Sequence, residues 1–350
     1  MGIVQTRRHL LTSLTFGSAA SLGGLGAAGL GSGLTLAAEP PPEITAIRFL
    51  KDPILCTSPQ VANELLYAEG FTDIRHVDLT EAHILAAEAA HAAAINDHMI
   101  ASGEVDFARD FASSHIAAME AGVPITLLAG LHSGCFEVLG KDDIRGIADL
   151  KGRTVGAFGS GDERLLKIMA SLVGLDPAKD IRWVTGLSEG QKDLFIEGKI
   201  DAFIALPPEL QDLRSRNIGH VIASSITDRP WSQYFCCFLA TSTGFAQKYP
   251  IATQRVVRAI LKATDLCASQ PARVARLLVD TGYTTHYDYA LQALSEVRYD
   301  LWRDYDPEDS LRFYALRMHE AGLIKSDPQK LIAEHTDWRF LNKAKRELKI

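Results

Sequence analysis

Short apolar runs alternate with helix-like segments along most of the chain, and this alternation predicts its architecture. Strands are predicted where the apolar runs are short and rich in β-branched residues, at residues 44–50, 74–79, 105–107, 125–131, 154–158, 181–185, 200–206 and 220–224. Helices are predicted between them at 60–69, 82–102, 115–121, 162–173, 188–197 and 208–216. From residue 242 onward the pattern is almost wholly helical. A βαβα order is typical of an α/β fold, in which helices cover both faces of largely parallel sheets.

A weak internal repeat indicates that the fold has two halves. The segments SGEVDFARDFASSHIAAMEAG (102–122) and EGKIDAFIALPPELQDLRSRN (197–217) share Gly, a charged residue, a β-branched residue and Asp at an offset of 95 residues. In each, a helix ends at the glycine and a short strand begins two residues later. Two lobes built on one plan would explain the repeat, and chance similarity between two βα units is the alternative.

The candidate ligand site follows from the expected strand directions. In parallel α/β sheets, ligands bind beyond the carboxyl ends of the strands, so two facing lobes would share one cleft. Two segments, 131–139 and 231–240, would connect the lobes. The candidate ligand-binding residues in these loops and connections are Pro53, Leu55, Cys56, Asp110, Phe111, Ser133, Ser160, Gly161, Asp162, Pro207, Glu209, Trp231 and Tyr234.

A glycine-rich turn, Gly159-Ser160-Gly161, joins a predicted strand to a predicted helix. It is not a dinucleotide fingerprint, because the order of glycines is not GxGxxG and no GxxxxGK[ST] occurs in the chain. Free N–H groups at the start of the helix favour a polar or anionic ligand group. Asp162 and Glu163 complement the helix dipole themselves, so helix capping without a ligand is the alternative interpretation.

Composition narrows the function classes. The chain has 350 residues, 47% hydrophobic and 23% charged, which is typical of a soluble globular protein. A net charge of −7 argues against a nucleic-acid partner. No GxSxG, HExxH or Ser/His/Asp spacing appears, and the intervals between His83, His91 and His98 are too long for a one-turn metal clip. The sequence therefore predicts no catalytic residue, no metal ligand and no cofactor.

The first 38 residues are predicted to be an export signal. Arg7 and Arg8 precede 27 residues without a charge, and the small residues at 35–37 suit a cleavage site near Ala37/Ala38. The paired arginines resemble a twin-arginine signal, which places the protein in the periplasm. An uncleaved membrane anchor is the alternative.

Five cysteines show no paired metal spacing. They are interpreted as buried small apolar residues, with one disulfide as the alternative. Cys236 and Cys237 are adjacent in a predicted strand, so their side chains are expected on opposite sides.

Three motifs carry a family resemblance: DLKGRTVGAFGSG (149–161), GL-x-P-x-KDI (174–181) and EGKIDAFIALPP (197–208). With the exported start, they resemble solute-binding proteins of ABC importers, of the nitrate/sulfonate/taurine type that also includes binders of thiamin-pyrimidine precursors. The resemblance implies a two-lobed type II periplasmic-binding-protein fold. Lobe 1 would comprise 44–135 and 236–335, lobe 2 would comprise 136–235, and 336–350 would be a C-terminal tail.

The resemblance implies a monomer without chemistry of its own, which closes around a small molecule and delivers it to a membrane permease. The ligand class is open. Carboxylates and aromatic residues favour a nitrogen-bearing or aromatic solute. A sulfonate, taurine or nitrate ligand is the alternative, although Arg109 and Arg164 are the few basic residues near the predicted loops.

Two other function classes stay open. Fungal pyrimidine synthases are similar and use a CCCFC stretch with iron, whereas this chain has Phe235-Cys236-Cys237-Phe238-Leu239, with two cysteines instead of four. An exported ligand-sensing domain is the third class.

Overall fold

The structure, a computed structural model, describes residues 39–51, 57–80, 82–83, 94–157, 160–185 and 190–349. The predicted export signal and the first candidate loop, 52–56, lie outside the described residues. The strands are β1 (Ala46–Lys51), β2 (Asp73–Asp78), β3 (Phe107–Phe111), β4 (Ile125–His132), β5 (Glu137–Gly140), β6 (Thr154–Ala157), β7 (Arg182–Thr185), β8 (Ala202–Ala205), β9 (His220–Ser224) and β10 (Cys237–Ser242).

The described helices follow the sequence pattern closely. They are α1 (Asn63–Ala68), α2 (Ile95–Ser102), α3 (Ala112–Glu120), α4 (Ser160–Leu172), α5 (Gln191–Ile196), α6 (Glu209–Ser215), α7 (Thr243–Lys248), α8 (Pro250–Ser269), α9 (Pro271–Asp280), α10 (Tyr287–Glu296), α11 (Pro307–Glu320), α12 (Pro328–His335) and α13 (Arg339–Glu347). Short 3₁₀ turns occur at Pro59–Val61, Ile147–Leu150, Trp231–Gln233 and Tyr299–Arg303. Among the described residues, no helix combines the length and the apolarity that crossing a membrane requires.

Two five-stranded sheets have the same strand plan. The order is β2-β1-β3-β10-β4 in the first sheet and β7-β6-β8-β5-β9 in the second. β1 pairs in parallel with β2 and β3, and β6 pairs in parallel with β7 and β8. β10 pairs antiparallel with β3 and β4, and β5 pairs antiparallel with β8 and β9. The prediction of two α/β lobes on one plan is confirmed, with β3 and β8 from the internal repeat in equivalent positions.

Burial explains why these short runs become strands. All residues of β4, β5 and β8 are buried, which is the pattern of strands covered on both faces. The long helix α8 packs on this core through the face predicted by its periodicity, because Val256, Ile260 and Thr264 are fully buried. Arg258 and Lys262 on its other side bind Glu69. Burial would raise the pKa of Glu69, but these two cations lower it.

Two predicted elements differ from the structure. The helix predicted at 82–102 is wrong at Ala94, whose φ of 63° is not helical, and α2 begins at Ile95. Residues 84–93 of that prediction lie outside the described residues. The strand predicted at 105–107 lies instead at Phe107–Phe111. Asp106 lies just before this strand, where its carboxylate accepts hydrogen bonds from the backbone N–H and the guanidinium of Arg48.

The chain passes from the first sheet to the second between His132 and Glu137, and returns between Ser224 and Cys237. Ser225 joins the two passages, because its hydroxyl accepts from the Cys135 and Phe136 N–H groups and donates to the Phe136 carbonyl at 2.7 Å. A Cβ at Gly134 would lie 2.8 Å from Cα of Ile226, and the φ of Gly134 is +70°. Only glycine fits this approach without strain.

The last residues pack on the body of the protein. Residues 336–350, predicted as a tail, include α13, and the side-chain amide of Gln254 donates to the Phe340 carbonyl at 3.2 Å. Arg258 also pairs with Glu347 at 2.8 Å.

Candidate functional site

The carboxyl ends of β3 and β6 meet between the two sheets. Helix α3 begins directly after β3, and α4 begins at Ser160 after β6. A Cβ at Gly161 would lie 2.7 Å from Ser114 Oγ and 3.3 Å from the ring of Phe111. The first turns of α3 and α4 are therefore in contact, and residues that the sequence predicted from separate loops lie at this junction.

Asp110 is the acidic residue of this junction. It is partly buried, and its carboxylate accepts a hydrogen bond from the Phe111 N–H at 2.7 Å. Burial raises the pKa of Asp110 to about 6; Asp97 also raises it, while His115 and Arg109 oppose the shift. The side chain therefore changes charge near neutral pH, and it attracts a cation or a hydrogen-bond donor most strongly above that value.

A buried ion pair, His115 with Asp97, acts electrostatically on Asp110. His115 Nδ1 contacts the Asp97 carboxylate at 2.8 Å and 3.0 Å, and its Nε2 lies 3.2 Å from the Phe238 carbonyl. Burial alone would lower the pKa of His115, but Asp97 and Asp110 raise it to about 9. The ring is therefore a cation at neutral pH and donates from both nitrogens. Sequence reasoning missed this pair because its members lie 18 residues apart on different helices.

Arg164 is the basic residue of the junction. It lies in the first turns of α4, where burial lowers its pKa while Glu163 and Asp110 oppose the shift. Its Nη1 is buried, and so is Ser113 Oγ on α3; neither atom has a hydrogen-bond partner among the described residues. Buried polar atoms are nearly always hydrogen-bonded in folded proteins. An acceptor group placed beside either atom would satisfy it.

The remaining predicted residues of the second sheet differ in exposure. Asp162 is buried in the first turn of α4, where its charge complements the helix dipole. Pro207 is buried after β8, whereas Glu209 is exposed at the start of α6. Partial loss of solvent raises the pKa of Glu209, against the attraction of Lys192. Their role in ligand binding stays a prediction.

Three predicted residues have structural partners within the protein. Trp231 is buried against Phe313, and Tyr234 stacks on the same ring at 4.1 Å between centroids. The hydroxyl of Ser133 donates to the Ser232 carbonyl at 3.0 Å. These contacts account for the three side chains without a ligand. Pro53, Leu55 and Cys56 lie outside the described residues, and so does the side chain of Ser160.

A second group of chemically reactive side chains lies where the chain crosses between the sheets. It consists of His132, Cys135, Cys236 and Cys237, all buried, with ligand atoms that lie within 4.8 Å of one another. None of these three cysteines forms a disulfide with another described residue, and the same holds for the buried Cys267. The expectation that Cys236 and Cys237 point to opposite sides is wrong, because their sulfurs are 3.7 Å apart. Strand β10 begins only at Cys237, so strand alternation does not apply to Cys236.

Several solved structures with the same fold are named as binding proteins in their titles. The periplasmic nitrate-binding protein NrtA from Synechocystis PCC 6803 superposes with a TM-score of 0.74 at 12% identity, covering 88% of this chain and 90% of that chain. The alkanesulfonate-binding protein SsuA from Xanthomonas axonopodis pv. citri, bound to MOPS, has a TM-score of 0.65 at 17% identity, with 86% and 100% covered. The aliphatic sulphonate binding protein SsuA from Escherichia coli has a TM-score of 0.60 at 18% identity, with 84% and 92% covered. At these identities the likeness concerns the fold.

Comparison of the sequence with family profiles identifies the family of this chain. Curated protein sequences give no match. The family profile described as NMT1/THI5 like matches residues 85–274, which is more than half of the chain. That match spans β3, β6, β8 and β10 and both crossings between the sheets. The chain therefore belongs to the NMT1/THI5-like family.

Proposed function

We propose that this protein is the periplasmic solute-binding component of an ABC importer, which holds a small organic molecule between its two sheets. Three observations support this function: the matched family, the paired sheets of equal topology, and the fold shared with proteins whose titles name nitrate and sulfonate binding. The twin-arginine-like start of the sequence supports a periplasmic location.

The observation that carries the proposal is the junction of α3 and α4. Asp110 and Ser113 belong to the first sheet and its following helix, whereas Gly161 and Arg164 belong to the helix after β6 of the second sheet. A molecule held here contacts both halves, so it stabilises the conformation in which they are in contact. Ligand binding then shifts the population toward the closed form.

The halves are proposed to move about the two crossings. We assign 44–135 with 236–335 to lobe 1 and 136–235 to lobe 2. The chain would act as a monomer, and the closed form would present both lobes to a membrane permease. The proposed function includes no reaction, and the junction supports a binding role because it combines a carboxylate, Asp110, with unsatisfied donors.

The ligand is proposed to carry a basic or hydrogen-bond-donating nitrogen. Asp110 would receive that nitrogen, and Arg164 with Ser113 would donate to an acceptor group elsewhere on the molecule. Both signs of charge at one junction favour a compact zwitterion or polar heterocycle. The unsatisfied Nη1 of Arg164 also favours a second candidate, a simple sulfonate or nitrate anion.

A thermal-shift screen of the purified chain tests the proposal. The compounds are amines, amino acids, pyrimidines, sulfonates and nitrate, each measured over a range of concentrations. A binder raises the unfolding temperature in proportion to the logarithm of its concentration over Kd. Stabilisation by nitrogen-bearing compounds without turnover supports the first ligand class. Stabilisation by anions alone supports the second, and conversion of a compound to product contradicts a pure binding role.

A further inference from the structure

Four buried donor atoms form one cluster at the crossing between the sheets. Cys135 Sγ lies 3.3 Å from Cys236 Sγ and 4.0 Å from Cys237 Sγ, and the last two sulfurs are 3.7 Å apart. His132 Nδ1 lies 3.3 Å from Cys236 Sγ. The first crossing of the chain provides His132 and Cys135, and the second provides the two adjacent cysteines.

These separations match the edges of a small tetrahedron. With metal–sulfur bonds of about 2.3 Å and metal–nitrogen bonds of about 2.0 Å, a tetrahedral zinc site has sulfur–sulfur edges of roughly 3.8 Å and nitrogen–sulfur edges of roughly 3.6 Å. The three sulfur–sulfur distances scatter around the first value, and the one nitrogen–sulfur distance, 3.3 Å, is slightly below the second. A disulfide requires a sulfur–sulfur bond of about 2.05 Å, so these sulfurs are not bonded to one another, and three sulfurs grouped with one nitrogen suit a common ligand.

The surroundings complement the charge of such a site. Three thiolates and one neutral imidazole around a divalent ion carry a net charge of −1. Arg109 is buried at 5% exposure, and its guanidinium Nη1 lies 4.0 Å from Cys237 Sγ. A buried cation beside the sulfurs offsets the residual negative charge, which would otherwise be costly in this apolar interior. The ring of His132 packs on Tyr299 at 5.2 Å between centroids, which restricts its rotation.

We propose that His132, Cys135, Cys236 and Cys237 form a closed, structural site for a zinc-class ion. The ion replaces the protons of three thiols, which are released to solvent as the three metal–sulfur bonds form. Because two ligands come from each crossing, the ion ties together the two passages about which the lobes turn. All four coordination positions belong to the protein, so the site is structural rather than catalytic.

Metal analysis of the reduced full chain tests this site. The protein is purified without chelators, reduced, incubated with Zn²⁺ and desalted, and metal is measured by mass spectrometry. We expect one equivalent of zinc per chain, with Cys135→Ser and Cys237→Ser losing it. Cys267→Ser is the matched control, because Cys267 is an equally buried free thiol outside the cluster, and it should keep the full equivalent.

A wild-type measurement keeps the test decisive if the variants do not fold. Co²⁺ added to the reduced chain should give the visible absorption of tetrahedral cobalt and a sulfur-to-metal charge-transfer band, and Zn²⁺ should abolish both. Absence of zinc and cobalt binding by the folded, reduced wild type would overturn the site. So would equal loss of zinc in Cys267→Ser, retention of iron in place of zinc, or a Cys135–Cys236 disulfide that forms despite excess zinc.

Discussion

Gly161 lies against Ser114 with no room for a side chain between them, since a Cβ on residue 161 would come within 2.7 Å of the serine hydroxyl oxygen. One residue belongs to the helix after β6 and the other to the helix after β3. The contact of the two halves at this point therefore depends on residue 161 being a glycine, which has no Cβ. This relationship gives the most direct test of closure.

Gly161→Ala should weaken ligand binding. Overpacking of a tight contact costs about 1–3 kcal/mol, which corresponds to roughly 5-fold to 150-fold in Kd if the whole cost falls on the closed form. Isothermal titration calorimetry measures the loss. The double variant Gly161→Ala/Ser114→Ala should recover part of it, because the clashing hydroxyl is removed.

Gly244→Ala is the control for this change. Gly244 lies in α7, and a Cβ there meets nothing within 4 Å. Affinity should stay at the wild-type value. Equal affinities for Gly161→Ala and Gly244→Ala would mean that the α3–α4 junction is not part of the bound state.

Asp110→Asn should weaken binding of a nitrogen-bearing ligand. A hydrogen bond to a charged group contributes about 1.5–3 kcal/mol, so Kd should rise by roughly 10-fold to 150-fold. Asp73→Asn is a suitable control, because that carboxylate is exposed and pairs with Arg75, two residues along the same strand. If Asp110→Asn instead leaves amine binding unchanged, the carboxylate does not contact the ligand.

Binding of an amine should also depend on pH. The pKa of Asp110 is raised to about 6, so its carboxylate is ionised above that value and protonated below it. Affinity for a ligand that stays cationic should be constant from pH 7 to 8 and should fall below pH 6, by up to about tenfold per pH unit. Calorimetric titrations from pH 5 to 8 measure this, and Asp110→Asn should give a flat profile.

The buried His115–Asp97 pair should make stability fall at alkaline pH. The pKa of His115 is raised to about 9 from an ordinary value of 6.5. Its stabilising contribution is therefore complete below about pH 6.5 and is lost as the pH rises through 9. The loss is on the order of 3 kcal/mol in the free energy of unfolding. Urea unfolding at pH 7 and pH 10 should show a larger decrease for wild type than for His115→Gln.

A substitution at an exposed histidine distinguishes this effect from general alkaline destabilisation. His98 lies on the exposed side of α2, the same helix that carries Asp97. His98→Gln should follow the wild-type curve. Parallel pH curves for wild type and His115→Gln would show that the buried ring carries no charge in the folded protein.

Glu296→Gln should weaken closure without touching the ligand. Arg214, on the helix after β8, donates from Nη1 to both carboxylate oxygens of Glu296 on α10 at 3.0 Å and 2.9 Å. A partly exposed pair contributes about 1 kcal/mol, so Kd should rise about fivefold, through faster dissociation. Surface plasmon resonance measures the rates. Glu308→Gln, which breaks an exposed pair within α11, should leave them unchanged.

The sequence predicted those features that depend on local pattern. β9 has its predicted bounds, and most other strands end within two residues of them, because short buried apolar runs are a local signal. Asp110 was predicted as a site residue by its place after a strand. The His115–Asp97 pair was not, because it depends on how α2 packs beside α3. The packing of Trp231 on Phe313 likewise joins segments that are far apart in sequence.

The cluster of one histidine and three cysteines could not be predicted from local sequence pattern either. His132 and Cys135 lie about a hundred residues before Cys236 and Cys237, and no spacing within either pair is typical of a metal motif. The four residues meet only because the chain crosses between the sheets twice at the same place. A pattern confined to one stretch of sequence carries no sign of this meeting.

Strand β10 lies between β3 and β4, although the whole second sheet separates it from them in the chain. A growing polypeptide that has reached residue 200 already contains β1, β2, β3 and β4 of the first sheet. β4 cannot yet join the other three, because β10, which pairs with both β3 and β4, has not been synthesised. The first sheet is completed only when synthesis passes Ser242. A truncation anywhere before Cys237 should therefore yield an unfolded product rather than an isolated half, and the two halves should appear together during refolding.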